Sequence, residues 1–143
     1  MAAASQVGNC GLARVLLVDD DPTSRLTLQT VLETCGYFVE SAASAAEAVG
    51  MMEEGEFALV LSGLQMETPD SGMKVIAHAK LMDYKPATAL ITSYHEAIPV
   101  PDKWPKSLLI KPEDIQDLLT KVAGLISSRA TRRLRREMVL AGA

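Results

Sequence analysis

Short continuous apolar runs alternate along this chain with stretches whose apolar residues recur every three or four positions. The runs are typical of strands buried on both faces of a sheet, and the periodic stretches are typical of amphipathic helices. The predicted strands are Val15–Val18, Phe38–Val39, Phe57–Leu61, Ala89–Ile91 and Leu108–Ile110. Strands that alternate with helices predict an α/β fold: a doubly wound, five-stranded parallel sheet with right-handed crossovers.

Capping signals mark the boundaries of the first two predicted helices. Asp21, directly before a proline, predicts a capped helix start, and Gly36 predicts where that helix ends. Ser44 and Glu47 have the spacing of a capping box, and the helix that they begin should end at Gly55. These signals place helical crossovers after the first and second strands.

The connection between the fourth and fifth strands departs from this pattern. It contains Pro99, Pro101 and Pro105, which leave no room for a full helix. We therefore expect the fourth helix of the fold to be shortened or absent. A final helix should follow Pro112.

Length and charge predict one domain with a basic tail. The 143 residues suit a single core, and we expect a flexible leader (1–12), a domain (13–127) and a basic helical extension (128–143). Residues 1–128 hold 9 basic and 17 acidic side chains, whereas residues 129–143 hold five arginines and one acid, Glu137. The acidic body is a poor candidate for nucleic-acid binding, so only the tail is suited to it.

The composition gives no sign of a membrane or secreted protein. No apolar run approaches the roughly 18 residues of a membrane span, and the N-terminus lacks the pattern of a signal peptide. Cys10 and Cys35 have no metal-type spacing and are most simply free thiols. We expect a cytoplasmic protein without membrane contact.

Polar residues follow four of the predicted strands at their carboxyl ends. Asp19 and Asp20 follow the first strand, Ser62 follows the third, Thr92 follows the fourth and Lys111 follows the fifth. Ligands of open parallel sheets bind at this edge. Carboxylates suit Mg²⁺, and a hydroxyl and an ammonium group suit phosphoryl oxygens. Each residue taken singly also has a plain structural role, as a turn, a strand end or a loop, but together they predict a phosphoryl-type pocket.

The segments that carry these residues resemble the receiver domain of bacterial two-component response regulators. They are Val15–Pro22, Leu59–Met66, Leu90–Ser93 and Leu109–Pro112. The resemblance spans about residues 13–127 and implies a flavodoxin-like receiver fold. It also implies that Asp19 and Asp20 are ligands of Mg²⁺, and that Thr92 and Lys111 contact a phosphoryl group.

The same resemblance exposes two departures from the family pattern. Gly63 occupies the position of the aspartate that accepts the phosphoryl group, and Leu108 occupies that of the switch aromatic. An acyl phosphate requires a carboxylate, and its loss should leave at most weak Mg²⁺ binding. Ser62 is one residue away and should point to the opposite face of the strand. Asp70 lies in the next loop and could swing into the pocket, but nothing in the sequence fixes it there.

These observations predict a degenerate receiver, or pseudo-receiver, rather than an enzyme. It should need no cofactor and act by phosphorylation-independent contact with a protein such as a histidine kinase or another response regulator, with homodimerisation left open. One alternative is a phosphorelay receiver that uses a substitute acceptor. A second is a small DNA-binding regulator that acts through the arginine-rich tail, which we rank low because the tail lacks interleaved aromatics.

Overall fold

The computed structural model describes residues 13–64, 66–91, 109–110 and 115–141. Within these ranges, five strands and four helices occur in the order β1 (Arg14–Val18), α1 (Pro22–Thr34), β2 (Phe38–Ala42), α2 (Ala45–Glu54), β3 (Leu59–Gly63), α3 (Ser71–Leu81), β4 (Ala87–Ile91), β5 (Leu109–Ile110) and α4 (Ile115–Leu140). The predicted leader and the proline-containing crossover at 92–108 lie outside the described residues.

The strands form one parallel sheet in the order β2-β1-β3-β4-β5. The predicted α/β class and doubly wound sheet are thereby confirmed. The chain passes from β1 to β2 on one side of β1, and then crosses back to β3 on the other side. The strand order therefore reverses between β1 and β3. Such a reversal opens a crevice at the carboxyl ends of the two strands, where ligands of doubly wound folds bind.

Each face of the sheet has its own apolar layer. Val15 and Leu17 of β1 belong to the cluster that also contains residues of α1 and α4. Leu16 and Val18 point to the opposite face, into a cluster with residues of α2 and α3. All four side chains are fully buried. The continuous apolar run of β1 follows from this two-sided burial, because neighbouring side chains of a strand point in opposite directions.

The predicted boundaries of α1 are confirmed. The Asp21 carboxylate accepts a hydrogen bond from the N–H of Ser24 at 3.1 Å, which caps a helix that begins with Pro22. At the other end Cys35 is the C-cap, and Gly36 follows with a φ of 98°. A residue without a β-carbon adopts that left-handed conformation at little cost, so Gly36 reverses the chain into β2.

The capping box predicted for α2 is also present. Ser44 Oγ accepts a hydrogen bond from the Glu47 N–H at 3.1 Å. The Glu47 carboxylate accepts one in return from the Ala43 N–H at 2.6 Å, one residue before the cap. The helix ends at the predicted glycine, since the Gly55 N–H donates to the Met51 carbonyl at 3.1 Å. Two otherwise unpaired N–H groups at the helix start are thus satisfied.

The helix α4 is much longer than the face of the sheet that it covers. Its 26 residues span about 39 Å, and only Leu118 and Val122 are fully buried. Every residue in the range 131–140 is exposed, so this end of the helix projects past the body. Among the described helices, none is both long enough and apolar enough to cross a bilayer.

A close backbone contact joins the start of α3 to the carboxyl end of β3. The Gly72 N–H donates to the Leu64 carbonyl at 3.1 Å. A β-carbon added to Gly72 would lie 2.2 Å from the Gly63 carbonyl oxygen and 2.6 Å from that of Leu64. Both obstacles are backbone atoms, so no side-chain rotation relieves the clash, and the contact requires glycine.

We predict that Gly72→Ala lowers the free energy of unfolding by about 3 kcal/mol, because the backbone of β3 or α3 must move to admit the methyl group. Urea denaturation measures this change. Gly124→Ala is the matched control, since a β-carbon there meets no atom within 4 Å and should stabilise α4 by about 0.5–1 kcal/mol. Equal stability of the two variants would contradict the prediction.

Candidate functional site

The carboxyl ends of β1 and β3 lie side by side where the strand order reverses. Val18, the last residue of β1, pairs with Ser62 of β3. Asp19 and Gly63 follow these two residues and therefore lie at the same level. A β-carbon added to Gly63 would lie 3.7 Å from the Val18 carbonyl oxygen. The structure thus brings one predicted metal ligand next to the glycine that ends β3.

Asp19 is held in place by its backbone and by one carboxylate oxygen. Its N–H donates to the Ala42 carbonyl at 3.0 Å, which extends the pairing of β1 with β2. Its Oδ1 accepts from the Asp21 N–H at 3.0 Å, and its carbonyl accepts from Arg25 Nη1 at 2.7 Å. The side chain is half-buried. Asp19 is therefore oriented before any ligand binds.

The three consecutive aspartates after β1 divide their roles. Asp21 caps α1, Asp19 is fixed at the strand end, and Asp20 is exposed to solvent. Among the described residues, no group of three or more His, Cys, Asp or Glu side chains is placed to hold a metal ion. Mg²⁺ accepts one or two carboxylates and completes its shell with water. The assignment of Asp19 and Asp20 as ligands of Mg²⁺ stays a prediction.

Gly63 is not required by the backbone. In the described chain the glycine with a positive φ is Gly36, not Gly63. A β-carbon added to Gly63 would lie 3.3 Å from Met66 Cγ and 3.6 Å from its Sδ. These atoms belong to a flexible side chain that can turn away. The end of β3 therefore has room for a side chain, and Met66 now lies over that space.

Glu67, in the loop after β3, is the first acid beyond Gly63. Its Oε2 accepts a hydrogen bond from the Ala45 N–H at 2.9 Å, at the start of α2. Hydrogen bonds from its own N–H and from Ala45, together with the Ser71 hydroxyl and the Lys74 ammonium group, lower the pKa of Glu67. The carboxylate thus serves as a second cap of α2 and remains ionised.

Asp70 is also held by partners in its own loop. Its Oδ1 accepts a hydrogen bond from Thr68 Oγ1 at 2.6 Å, and its Oδ2 lies 3.6 Å from Lys74 Nζ. The Thr68 bond and the Lys74 charge both lower the pKa of Asp70. Asp70 is therefore held within its own loop and not at the end of β3, by partners that the sequence pattern does not reveal.

The remaining predicted residues have different outcomes. Ser62 is fully buried and donates its hydroxyl to the Gly63 carbonyl at 3.0 Å, which confirms that it does not replace a side chain at Gly63. Thr92 and Lys111 lie outside the described residues, as does Leu108. Their assignments stay predictions.

This combination of fold and site defines a known family. The response regulator receiver domain family matches residues 15–123, which is most of the chain. The chain therefore belongs to the response regulator receiver domain family.

Solved receiver structures share the whole fold. A response regulator receiver protein from Sinorhizobium medicae is 25% identical with a TM-score of 0.68, covering 82% of this chain and 97% of that one. A receiver domain protein from Clostridium thermocellum has a TM-score of 0.70 at 22% identity, covering 84% of this chain and 98% of that one. The described strands and helices thus have the arrangement of a receiver domain.

Curated relatives include plant proteins. The two-component response regulators ARR2 and ARR11 of Arabidopsis thaliana are each 37% identical to this chain over 70 residues, or 48% of it. The matched segment is 10% of ARR2 and 13% of ARR11, so this chain corresponds to a small part of those proteins. The similarity therefore extends to plant as well as bacterial response regulators.

Two features of the site were missed by the sequence analysis. Met66 lies against the β-carbon position of Gly63, and Arg25 binds the Asp19 carbonyl. Arg25 falls one turn into α1, so its spacing from Asp19 is a usable signal. Met66 lies in an irregular loop, where no periodic pattern indicates which way a side chain turns.

We predict that Gly63→Ala changes the free energy of unfolding by no more than about 1 kcal/mol, because Met66 can move aside and the φ of Gly63 suits any residue. Thermal or urea unfolding checks this directly. A loss as large as that expected for Gly72→Ala would show that the end of β3 has no room for a side chain.

Proposed function

We propose that this receiver-family chain is a signalling module that acts through protein–protein contact without accepting a phosphoryl group. The observation that carries the proposal is Gly63, which ends β3 beside Asp19. The family likeness assigns the acceptor carboxylate to this position. An acyl phosphate forms by attack of a carboxylate oxygen, and glycine has none.

The neighbouring acids offer no ready substitute. Glu67 is bound to the start of α2, and Asp70 is bound to Thr68 and faces Lys74. Each would have to give up these partners to reach a phosphoryl donor beside Asp19. This arrangement favours the proposal over the alternative of a phosphorelay receiver with a substitute acceptor.

The same glycine weakens the metal site. A third carboxylate beside Asp19 and Asp20 would add one ligand and one negative charge for Mg²⁺. Without it the pair retains enough oxygen ligands for a weak, water-rich cation site. The proposed function therefore includes no required cofactor and no catalytic turnover.

The proposed partners are proteins of two-component pathways. Family membership supports a histidine kinase or a second response regulator as the class of partner. A module without an acceptor would keep the surfaces of a receiver and bind such partners constitutively. It would act as an adaptor or as a competitor of complete receivers.

We predict that the unaltered chain gains no phosphoryl group during incubation with acetyl phosphate and Mg²⁺, as measured by intact mass at neutral pH. The physical reason is the missing carboxylate at Gly63. A phosphorylated adduct would refute the proposal and favour a substitute acceptor. Repeating the reaction with Glu67→Gln and Asp70→Asn would then identify that acceptor.

A gain-of-site variant is the matched control for that experiment. We predict that Gly63→Asp combined with Met66→Ala binds Mg²⁺ and beryllofluoride more tightly than the unaltered chain, because the carboxylate is restored and its cover removed. Isothermal titration calorimetry measures both ligands. Adding Thr92→Ala or Lys111→Ala to this variant should weaken beryllofluoride binding. Binding that stays at the level of the unaltered chain would show that the pocket is no longer competent.

A further inference from the structure

An acidic cavity lies at the end of the sheet where the strands begin, opposite to the end that carries Asp19. It has a volume of about 480 Å³ and lies between the C-terminal ends of α2 and α3. Its lining includes the carboxylates of Glu53, Glu54, Glu56 and Asp83. We refer to this feature as the acidic cavity.

A basic cavity lies next to it. It has a volume of about 170 Å³ and is lined by Lys85, Arg129, Arg132, Arg133 and Arg136. A smaller cavity of about 150 Å³ joins the two, because its lining includes Asp83 from the acidic side and Arg133 from the basic side. The two charged cavities therefore form one continuous surface.

The elements that carry these cavities are fixed to one another. Arg129 of α4 donates to the Tyr84 carbonyl at 2.7 Å and to the Lys85 carbonyl at 3.0 Å. Tyr84 in turn donates its hydroxyl to the Met52 carbonyl of α2 at 2.9 Å. The ends of α2 and α3 and the projecting part of α4 are thus held together before any partner binds.

Most charged side chains of this surface form no ion pair within the described residues; Glu53 is the exception, with its Oε2 3.6 Å from His78 Nε2. No ion pair in the described part of the chain involves Glu54, Glu56, Asp83, Arg132, Arg133 or Arg136. Burial lowers the pKa of the Arg129 guanidinium and the nearby charges of Arg133 and Arg132 lower it further, whereas the charge of Glu56 acts in the opposite direction. Crowded like charges of this kind are stabilised when an oppositely charged surface covers them.

Exposed apolar side chains accompany the charges. Leu81, which lines the acidic cavity, is 73% exposed. Leu140, which lines the joining cavity, is 79% exposed. A stable protein interface needs apolar contact as well as charge complementarity, and these two leucines supply it on the same surface.

We propose that this surface is a two-fold dimer interface, in which the acidic cavity of each copy receives arginine side chains from the basic cavity of the other. A two-fold interface brings the same patch of both copies together, so the patch must complement itself. An acidic half beside a basic half meets this condition under a two-fold rotation. A polyanion or a basic peptide would match only one half.

This inference does not depend on the proposed function. The surface lies at the opposite edge of the sheet from Gly63, and the dimer requires neither phosphoryl transfer nor Mg²⁺. A chain that proved to be phosphorylated could still dimerise in this way. Failure of one proposal is therefore distinguishable from failure of the other.

Sedimentation equilibrium of the full chain over a range of concentrations and salt is the direct test. We expect a monomer–dimer equilibrium that shifts toward the monomer as salt rises, because the contacts are largely ionic. A chain that stays monomeric at low salt and high concentration would overturn the proposal. So would a dimer that is insensitive to the substitutions below.

Charge reversal on the basic side should break the dimer. Arg133→Glu with Arg136→Glu should raise the dimer dissociation constant at least about tenfold. The new glutamates would face the acidic cavity of the other copy, and a two-fold dimer contains this contact two times. Lys80→Glu with Arg135→Glu is the matched control. It changes net charge equally at residues that line none of the three cavities, and it should dimerise like the unaltered chain.

A charge swap provides the decisive result. Glu54→Lys with Glu56→Lys should also be monomeric, because two lysines then face the arginines of the other copy and only Glu53 and Asp83 of the acidic cavity remain. Mixed with the Arg133→Glu, Arg136→Glu variant, it should form a one-to-one heterodimer, since both contacts regain opposite charges. Failure of the two monomeric variants to associate, with circular dichroism showing both folded, would refute the proposed geometry.

Discussion

The parallel pairing of β1 with β3 is the interaction on which the rest of the molecule depends. It joins the two halves of the sheet at the point where the strand order reverses, and its residues are among the most deeply buried. It also sets the level at which Asp19 and Gly63 follow their strands. The close contact of Gly72 then seats α3 against the same strand end. This one pairing register thereby determines which residues form the core and which residues lie together at the site.

The fold was largely predictable from sequence because its signals are local. The apolar run of β1, the cap at Asp21 and the box at Ser44 each report on neighbouring residues, and each agrees with the structure. The environment of the site was less predictable, because it depends on contacts between distant residues. The bond from Ala45 to Glu67 crosses 22 positions of the chain, and no periodicity signals it. The hydrogen bond from the Thr68 hydroxyl to Asp70 is local, but it lies in an irregular loop where no periodic pattern indicates the direction of a side chain.

The two ends of the sheet differ in how they use charge. At the carboxyl end, acids are committed to backbone N–H groups: Asp21 caps α1, Glu67 caps α2, and Asp19 closes a turn. At the opposite end, the acidic and basic cavities hold several charged side chains that form no ion pair within the described residues, among them Glu54, Asp83 and Arg136. Three acids near the expected receiver site are therefore engaged in local structure, and Asp20 is left exposed to solvent. The far end offers a partner several exposed charges of both signs.

The unbroken course of α4 has a mechanical consequence. The helix starts at the carboxyl edge of the sheet, follows its face past Leu118 and Val122, and is attached by Arg129 to the turn before β4. A helix with continuous backbone hydrogen bonds moves as a stiff rod rather than as separate segments. The projecting arginines and the first turn of α4 are therefore parts of one continuous helix. Its apolar face and the Arg129 guanidinium fix that helix to the body, so a partner that binds the arginines contacts a rigid extension of the core.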